Sequence, residues 1–436
     1  MRPTRKAVLL MAAGIPLSVV LILIQPGLWF YDLAATITAT VFCALDAVLA
    51  APVRALRLGA QAPNTLHIGE EDRLRLRIGL TSGPRRSPLA ITCDVNGILP
   101  PAPRLETVVG PGFETEAELP LRPLRRGTAG ISRVWLRWPG PLGLVAVTHV
   151  RPLNIKLSVV PNIRAVRAAA IEFQAHDAMF GIKVDRHLGD GTEFDALREY
   201  VPGLDRRSID WKHSARHRKL LSKEFRAERN HQIVLAFDTG QLMAEPLGGI
   251  PRLDHAVTAG LHLGYLSSRS EDYVGLFGFD SRVRHYLRPT AGTSGFLALR
   301  RASAALEYRP DETNFTLGLT DLTVRLNRRS LIVLFTEFID TITAELMLEN
   351  VARLASRHMV IFVVFADRDL AGLIEARPSN MEQIANSVVA GDFIRERAIV
   401  LERLNRLGVL CIEAAPDAVS AQLINAYLDI KNREMI

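Results

Sequence analysis

Cysteine is scarce in this chain. Only Cys43, Cys93 and Cys411 occur among 436 residues, and they lie far apart in the sequence. This spacing provides neither the close cysteine pairs of a zinc site nor the even set that a disulfide framework requires. We therefore expect free thiols and a compartment that keeps cysteine reduced.

Sequence signatures of catalysis are also lacking. There is no glycine-rich phosphate loop, and no serine stands in a nucleophile-elbow sequence. His213 and His217 have the four-residue spacing of a zinc pair on a helix, but Ser214 stands where zinc proteases carry the general-base glutamate. The sequence thus gives no positive argument for an enzyme. The net charge of +7 is modest for this length and does not predict a nucleic-acid-binding protein.

The length of 436 residues exceeds what one ordinary hydrophobic core accommodates, so several domains are expected. The residue pattern changes three times along the chain. We predict two transmembrane helices in residues 1–54, a β-sandwich-like module in 55–161, a linker helix and a charged motif in 162–230, and an α/β domain in 231–436.

Two apolar runs, 7–24 and 28–52, flank a turn at residues 25–27 and predict a transmembrane helical hairpin. Asp32 and Asp46 lie near the ends of the second run, where a charge costs less than the ~3 kcal/mol of the bilayer centre. The positive-inside rule places both outer ends, and the domains that follow, on the cytoplasmic side of the inner membrane. A cleaved signal peptide is the competing interpretation. The basic residues that flank the hairpin are Arg2, Arg5, Lys6, Arg54 and Arg57.

Residues 55–161 contain short alternating stretches separated by proline and glycine turns. The pattern predicts strands at 73–78, 90–95, 114–121, 131–138, 144–150 and 155–160, as in a small sandwich. The module carries no catalytic set of residues, and we interpret it as a spacer between the membrane and the next domain.

Residues 231–436 alternate apolar strands with helices, which predicts a doubly wound α/β domain with a parallel sheet covered on both faces. Predicted strands are 231–237, 273–279, 331–335, 359–365 and 409–412. Ligand sites of such sheets lie at the carboxyl ends of the strands. Asp238, Thr336, Glu337 and Asp367 fall at these ends.

Residues 189–230 combine charged, aromatic and turn residues in a way that no simple period explains. We predict a short helix over 193–200, a break at Pro202-Gly203, and a second helix that begins at Ser208 or Asp210. Trp211 is predicted to anchor that helix. A solvated, ion-paired helix pair is one interpretation. The other is a fixed cluster in which buried arginines meet carboxylates.

This segment resembles the signature of the bacterial domain-of-unknown-function-58 family, in the stretches 191–194, 197–200, 202–203, 209–212, 214–216 and 223–225 and at Arg206. The resemblance implies a membrane anchor, a von Willebrand factor A-like domain and a MoxR-type AAA+ ATPase as partner. We expect the segment to pack on the α/β sheet as a docking surface. Its predicted residues are Glu193, Phe194, Arg198, Tyr200, Arg206, Arg207, Asp210, Trp211, Lys212, Arg216, Lys223 and Glu224.

In von Willebrand factor A domains, an Asp-x-Ser-x-Ser loop, a threonine and an aspartate hold a divalent ion, and oxygen ligands suit Mg²⁺. By this resemblance, Asp238 matches the first position, Thr313 could supply the threonine, and Glu337 stands at the last aspartate. Gly240 and Leu242 replace the two serines. The implied magnesium site is therefore degenerate. Without an ion, Asp238 would cap a helix or receive an arginine from the charged segment.

Three functional hypotheses follow. The first is a membrane-anchored interaction protein that works with a MoxR-type ATPase through the charged segment and the Asp238 edge. The second is a membrane-tethered, metal-dependent hydrolase or nuclease that uses Asp238, Glu337, His213 and His217. The third and weakest is binding of anionic lipid or nucleic acid by the basic segment.

Overall fold

The computed structural model describes residues 1–24, 29–82, 86–112, 114–162, 188–201, 208–226, 230–339, 341–376 and 378–433. The chain forms two compact units, Met1–Asn162 and Ile163–Ile436. The predicted turn at 25–27 and any helix within 163–187 lie outside the described residues.

The first unit begins with two helices and continues as a β module. The helices are α1 (Arg5–Ile24) and α2 (Trp29–Leu49). One segment of the described residues, Leu33–Ala55, is long and apolar enough to cross a membrane. The strands are β1 (Arg2–Pro3), β2 (Leu56–Gln61), β3 (Thr65–His67), β4 (Asp72–Leu80), β5 (Ser87–Val95), β6 (Leu105–Val109), β7 (Glu114–Leu121), β8 (Gly127–Pro139) and β9 (Val145–Val160).

Two sheets make up the β module. The larger has the order β1-β9-β8-β5-β6, with β3 paired to β9, and the smaller has the order β2-β4-β7. Alternate residues along β4 and β8 are buried, as the period-two pattern of their sequences predicts. The two strands predicted at 144–150 and 155–160 are one strand, β9, in which Asn154 has a φ of 49°. An asparagine tolerates this left-handed conformation, so the irregularity does not end the strand.

The described residues of the second unit open with a hairpin that is separate from the main sheet. Its strands are β10 (Leu188–Glu199) and β11 (Leu221–Arg226), and α3 (Trp211–His217) lies between them. The predicted helix over 193–200 is wrong, because this stretch pairs antiparallel with β11. Long-range strand pairing overrides the local helical preference of such a short run.

The remaining elements form an α/β domain. Its strands are β12 (Gln232–Asp238), β13 (Pro246–Leu247), β14 (Ile250–Pro251), β15 (Tyr273–Phe279), β16 (Val283–Thr290), β17 (Leu331–Phe335), β18 (Met359–Phe365) and β19 (Leu410–Ala414). Its helices are α4 (Gln241–Ala244), α5 (Arg252–Arg269), α6 (Gly292–Ala304), α7 (Phe315–Arg325), α8 (Thr341–Ala355), α9 (Arg368–Glu375), α10 (Met381–Arg406) and α11 (Pro416–Asn432).

The main sheet of this domain has the order β16-β15-β12-β17-β18-β19. All neighbouring strands are parallel except β16, which pairs antiparallel with β15 at one edge. Along β12, Ile233, Leu235 and Phe237 enter one hydrophobic core, whereas Val234 and Ala236 enter the other. Both faces of the sheet are therefore covered, which explains why its central strands read as continuous apolar runs.

Candidate functional site

Asp238 lies at the carboxyl end of β12, where the parallel sheet presents polar groups to the loops. It is fully buried, and both carboxylate oxygens are hydrogen-bonded. Thr313 Oγ1 and the Gly240 N–H donate to Oδ1 at 2.6 and 2.8 Å, and Thr336 Oγ1 donates to Oδ2 at 2.6 Å. Asp238 thereby connects the end of β17 and the loop that precedes α7 to the end of β12.

The partners of Asp238 in these contacts are neutral donors. Burial raises the pKa of Asp238 to about 6, against the opposing effect of its hydrogen bonds from Thr313, Thr336 and Gly240. A buried carboxylate without a cationic partner loses its hydration and gains no ion pair in return, so its charged form is disfavoured.

Glu337, at the end of β17, is also buried, but it faces arginines. Arg397 Nη1 donates to Oε1 at 2.8 Å, and Arg252 Nε lies 3.5 Å from Oε2. Burial raises the pKa of Glu337, while the charges of Arg397 and Arg252 oppose that rise. Arg397 also contacts Glu413 at 2.8 Å and donates to the Phe365 carbonyl.

Arg252 extends the same cluster, because its guanidinium lies 3.2 Å from Glu245 and 3.6 Å from Asp367. Neither arginine was predicted from the sequence. Arg397 is 60 positions from Glu337 along the chain, and α10 brings it back to the edge of the sheet. Apolar periodicity reveals the helix but not which carboxylate its arginine reaches.

A third carboxylate, Asp280, follows β15 and is fully buried. It accepts hydrogen bonds from Thr239 Oγ1 at 3.0 Å and from Arg284 Nε at 2.7 Å. Burial would raise the pKa of Asp280, but the hydrogen bonds from Arg284, the Arg282 N–H and Thr239 bring it below its usual range. Arg284 also reaches Asp311 at 2.9 Å, so it ties the loop before α7 to β16.

These residues do not fit a magnesium ion. A Cβ atom on residue 240 would lie 2.2 Å from Thr313 Oγ1, so the threonine already occupies the space of the missing serine side chain. Leu242 supplies no oxygen ligand, and Glu337 is held by two arginines rather than directed to Asp238. Mg²⁺ requires a near-octahedral set of oxygens. The structure therefore brings Asp238 and Thr313 together in a hydrogen bond and assigns Glu337 to a separate ion-pair cluster.

The nearby arginines of the α/β domain reach other carboxylates. Arg252 and Arg397 contact Glu337, and Arg284 contacts Asp280. An arginine from the charged segment at Asp238 stays a prediction, because Arg206 and Arg207 lie outside the described residues. The hydrolase hypothesis gains no support. Among the described residues, no group of three or more histidine, cysteine, aspartate or glutamate side chains could hold a metal ion.

Within the hairpin, Asp210 is the residue that fixes α3. Its Oδ1 accepts the N–H groups of Lys212 and His213, as an N-cap residue does. Its Oδ2 contacts His213 Nδ1 at 2.9 Å and Lys223 Nζ at 3.5 Å. The hydrogen bonds from His213 lower the pKa of Asp210 well below its usual range. The predicted start of this helix at Asp210 is therefore correct, and His213 serves the cap.

Trp211 contradicts the anchoring role predicted for it, because 68% of its surface is exposed. Lys212, Arg216 and His217 are exposed as well. The hairpin is held instead by backbone pairing and by Ser214, whose Oγ accepts the Leu221 N–H at 2.8 Å. α3 thus presents its aromatic and basic side chains outward, Arg216 included, as the solvated interpretation of this stretch predicts.

The other predicted docking residues are distributed along the two strands. Phe194 pairs with Phe225, Arg198 with Ser222, and Glu224 with Ala196. The Tyr200 N–H donates to the Leu220 carbonyl at 2.7 Å, and Glu193 is opposite Arg226. Arg206 and Arg207 lie outside the described residues.

Part of this chain is similar to a known protein family. The model of the family described as "Protein of unknown function DUF58" matches residues 196–396. The matched stretch runs from β10 into α10, and it supports the resemblance found in the charged segment. A search of curated proteins found no match.

Two solved structures illustrate the similarity of parts of this chain to known folds. The alpha-2-macroglobulin of Escherichia coli, from domain MG7 to the C-terminus, is 21% identical over 26% of this chain, with a TM-score of 0.21, and only 17% of its own length is covered. The conserved hypothetical protein BatB from Bacteroides thetaiotaomicron is 13% identical over 41% of this chain and 99% of its own, with a TM-score of 0.26. Scores this low carry no argument about fold or function.

Proposed function

We propose that this protein is a membrane-anchored interaction protein whose α/β domain recruits a protein partner to the membrane. The observation that carries the proposal is an apolar surface on α9 and α10, which we call the α9–α10 surface. Its side chains are between 39% and 81% exposed: Leu373, Ile374, Met381, Ile384, Val388, Val389, Phe393 and Ile394.

Both helices contribute few residues to the hydrophobic core. No residue of α9 is buried, and in α10 only Ala390 is buried before Val400. Met381, Ile384 and Val388 recur at helical spacing and so form one stripe. Contiguous apolar area of this kind on a folded domain marks an interaction site.

The charges beside the surface favour a protein over a lipid partner. Asp369, Glu375 and Glu382 lie on the same two helices, and Asp392 there pairs with Arg395 at 3.6 Å. Arg368, which also lies there, is paired with Asp417 at 2.9 Å. An acidic rim disfavours an anionic membrane surface and suits a partner with basic side chains around an apolar centre.

A MoxR-type AAA+ ATPase is the partner that the family resemblance nominates, and we adopt it as the proposed partner. The parallel sheet with helices on both faces supports a von Willebrand factor A-like interpretation of the domain. Partner binding by this domain would not depend on a metal ion. Thr313 already donates to the Asp238 carboxylate, and Arg252 and Arg397 already pair with Glu337.

The contacts of the two N-terminal helices with the β module support the proposal that the chain crosses the membrane twice. The N-terminal strand β1 pairs with Val145 and Ala146 of β9. Asp46, near the end of α2, accepts the Val145 N–H at 2.8 Å. These contacts support a hairpin with both outer ends on one side of the membrane, and by the positive-inside rule the flanking basic residues favour the cytoplasmic side. Reporter activity only outside the cell, from a fusion after Arg57, would contradict this topology.

The partner proposal is tested by capture of the ATPase from membranes with the full chain. Val388→Asp puts a charge in the stripe, and we expect at least tenfold less co-purified ATPase. Val324→Asp is the matched control, because Val324 is an exposed helical valine on α7, at 75% exposure. Equal capture by both variants, with both proteins folded, would refute a role for the α9–α10 surface.

A further inference from the structure

The two N-terminal helices are joined directly to the β module. Thr4 Oγ1 donates to the Gly143 carbonyl at 2.7 Å, immediately before α1 begins. Asp46 of α2 is fully buried, and it accepts the N–H groups of Leu142 and Leu144 at 2.6 and 2.7 Å. Residue 140 must be glycine here, since a Cβ atom would lie 2.4 Å from Asp46 Oδ1. The predicted role of the module as a spacer is therefore incomplete, because its 140–146 turn receives both helices.

A basic cleft of about 530 Å³ opens beside this junction. Three arginines from different elements line it: Arg5 at the start of α1, Arg104 before β6, and Arg137 on β8. The cleft also contains Glu106, which pairs with Arg104 at 3.3 Å. Three guanidinium groups against one carboxylate leave a net positive charge.

Two of these arginines are available for a ligand. Within the described part of the chain, no carboxylate lies at ion-pair distance from Arg5 or Arg137, whereas Arg133 on the same strand contacts Asp94 at 3.0 Å. A guanidinium offers a planar fork of donors that matches phosphate oxygens. The positive end of the α1 helix dipole lies at Arg5 and adds to the attraction for an anion.

The position of the cleft indicates that such a phosphate would belong to a membrane lipid. Arg5 begins α1, so the cleft lies at the level where an apolar helix would leave the bilayer for water. Trp135 is exposed and shares the outer face of β8 with Arg137, because side chains two apart on a strand point the same way. Tryptophan and arginine side by side are typical of a surface at the lipid headgroups.

We propose that the cleft formed by Arg5, Arg104 and Arg137 binds the phosphate of an anionic phospholipid from the membrane that holds α1 and α2. The site rests on the membrane anchoring proposed above but not on the partner. Bound lipid would hold the β module against the membrane surface.

The test uses the full chain in nanodiscs of phosphatidylcholine with a minor share of phosphatidylglycerol. Native mass spectrometry of protein released from the discs reports which lipid is retained. We expect selective retention of phosphatidylglycerol by the wild type and roughly tenfold less with Arg137→Gln, since a charge-assisted fork is lost. Arg133→Gln, on the same face but outside the cleft, is expected to retain lipid like the wild type.

Two outcomes overturn the proposal. One is equal retention by Arg137→Gln and Arg133→Gln. The other is binding of inorganic phosphate to the cleft in the absence of any preference for phosphatidylglycerol, which would identify a soluble phosphate as the ligand. Failure of the protein to enter nanodiscs would instead refute the membrane anchoring itself, so the two proposals are separately decided. Arg104→Gln provides a second variant should Arg137→Gln fold poorly.

Discussion

The carboxyl edge of the main sheet and the α9–α10 surface use opposite chemistry in neighbouring parts of one domain. At the edge, the buried carboxylates Asp238, Asp280 and Glu337 already have donors or arginines within the domain. On α9 and α10, large apolar side chains face solvent. Polar residues at the carboxyl ends of parallel strands are therefore not necessarily a ligand site. Here they hold the strand ends and loops together, and the uncovered apolar residues are the better candidates for recognition.

The largest effect on stability is expected when the ion pairs of Glu337 with Arg252 and Arg397 are broken. Glu337→Ala leaves Arg252 and Arg397 without the carboxylate between them, and truncating one partner of a buried ion pair costs about 3–5 kcal/mol. Hydrogen exchange of the amides in β17 and β18 measures the local stability of the full chain. We expect protection there to fall by that amount.

The matched control is Glu402→Ala, which removes an exposed glutamate that pairs with Arg406 along α10. Exposed helix pairs contribute about 0.3–0.5 kcal/mol. If the two substitutions change hydrogen exchange equally, the ion pairs of Glu337 with Arg252 and Arg397 stabilise the domain no more than an exposed helix pair does.

A smaller, pH-dependent effect is expected at Asp238. Its pKa rises from 3.8 to about 6 on folding, so the stability it contributes is fully present below pH 3.8 and is lost as the pH rises through 6. At 1.36 kcal/mol per unit, the ionised form costs roughly 3 kcal/mol at neutral pH. The asparagine of Asp238→Asn cannot ionise, and its side-chain amide can still form hydrogen bonds with Thr313 and Thr336. We therefore expect the variant to lose this decline between pH 4 and 7.

Amide exchange at β12, corrected for the intrinsic pH dependence of exchange, provides the measurement. Asp392→Asn is the control, because Asp392 is 64% exposed on α10 and should leave the pH profile unchanged. A parallel decline in Asp238→Asn and the wild type would mean that the Asp238 carboxyl ionises as easily in the folded domain as in the unfolded chain.

The sequence predicted the α/β domain better than its site. The apolar runs of β12, β17 and β18 follow from local periodicity, and the structure has these strands at the predicted places. β10 could not be found in this way, because its pairing with β11 depends on residues more than 20 positions away. Short helices such as α9 also escaped detection, since eight residues give little periodic signal.

At the site, the strand pattern identified Asp238 and Glu337 as residues at the sheet edge, and the family resemblance added Thr313, but neither gave their partners. Arg252 and Arg397 reach Glu337 from α5 and α10, and no spacing rule connects them. The α9–α10 surface was missed for a related reason. Its apolar residues look like core residues of a helix, and only the fold shows that nothing among the described residues covers them.

The smallest effect on stability is expected at Trp211. Because this side chain is 68% exposed, Trp211→Ala should change the unfolding free energy of the full chain by less than about 0.5 kcal/mol. Trp138→Ala is the contrasting variant. Trp138 is 1% exposed, its Nε1 donates to the Ala51 carbonyl at 3.0 Å, and its loss should cost about 3–5 kcal/mol.

Iodide quenching of tryptophan fluorescence gives an independent measurement, since Trp211→Phe should remove a readily quenched component. If Trp211→Ala instead destabilised the protein as much as Trp138→Ala, α3 would pack inward and the hairpin would belong with the buried edge rather than with the exposed surfaces.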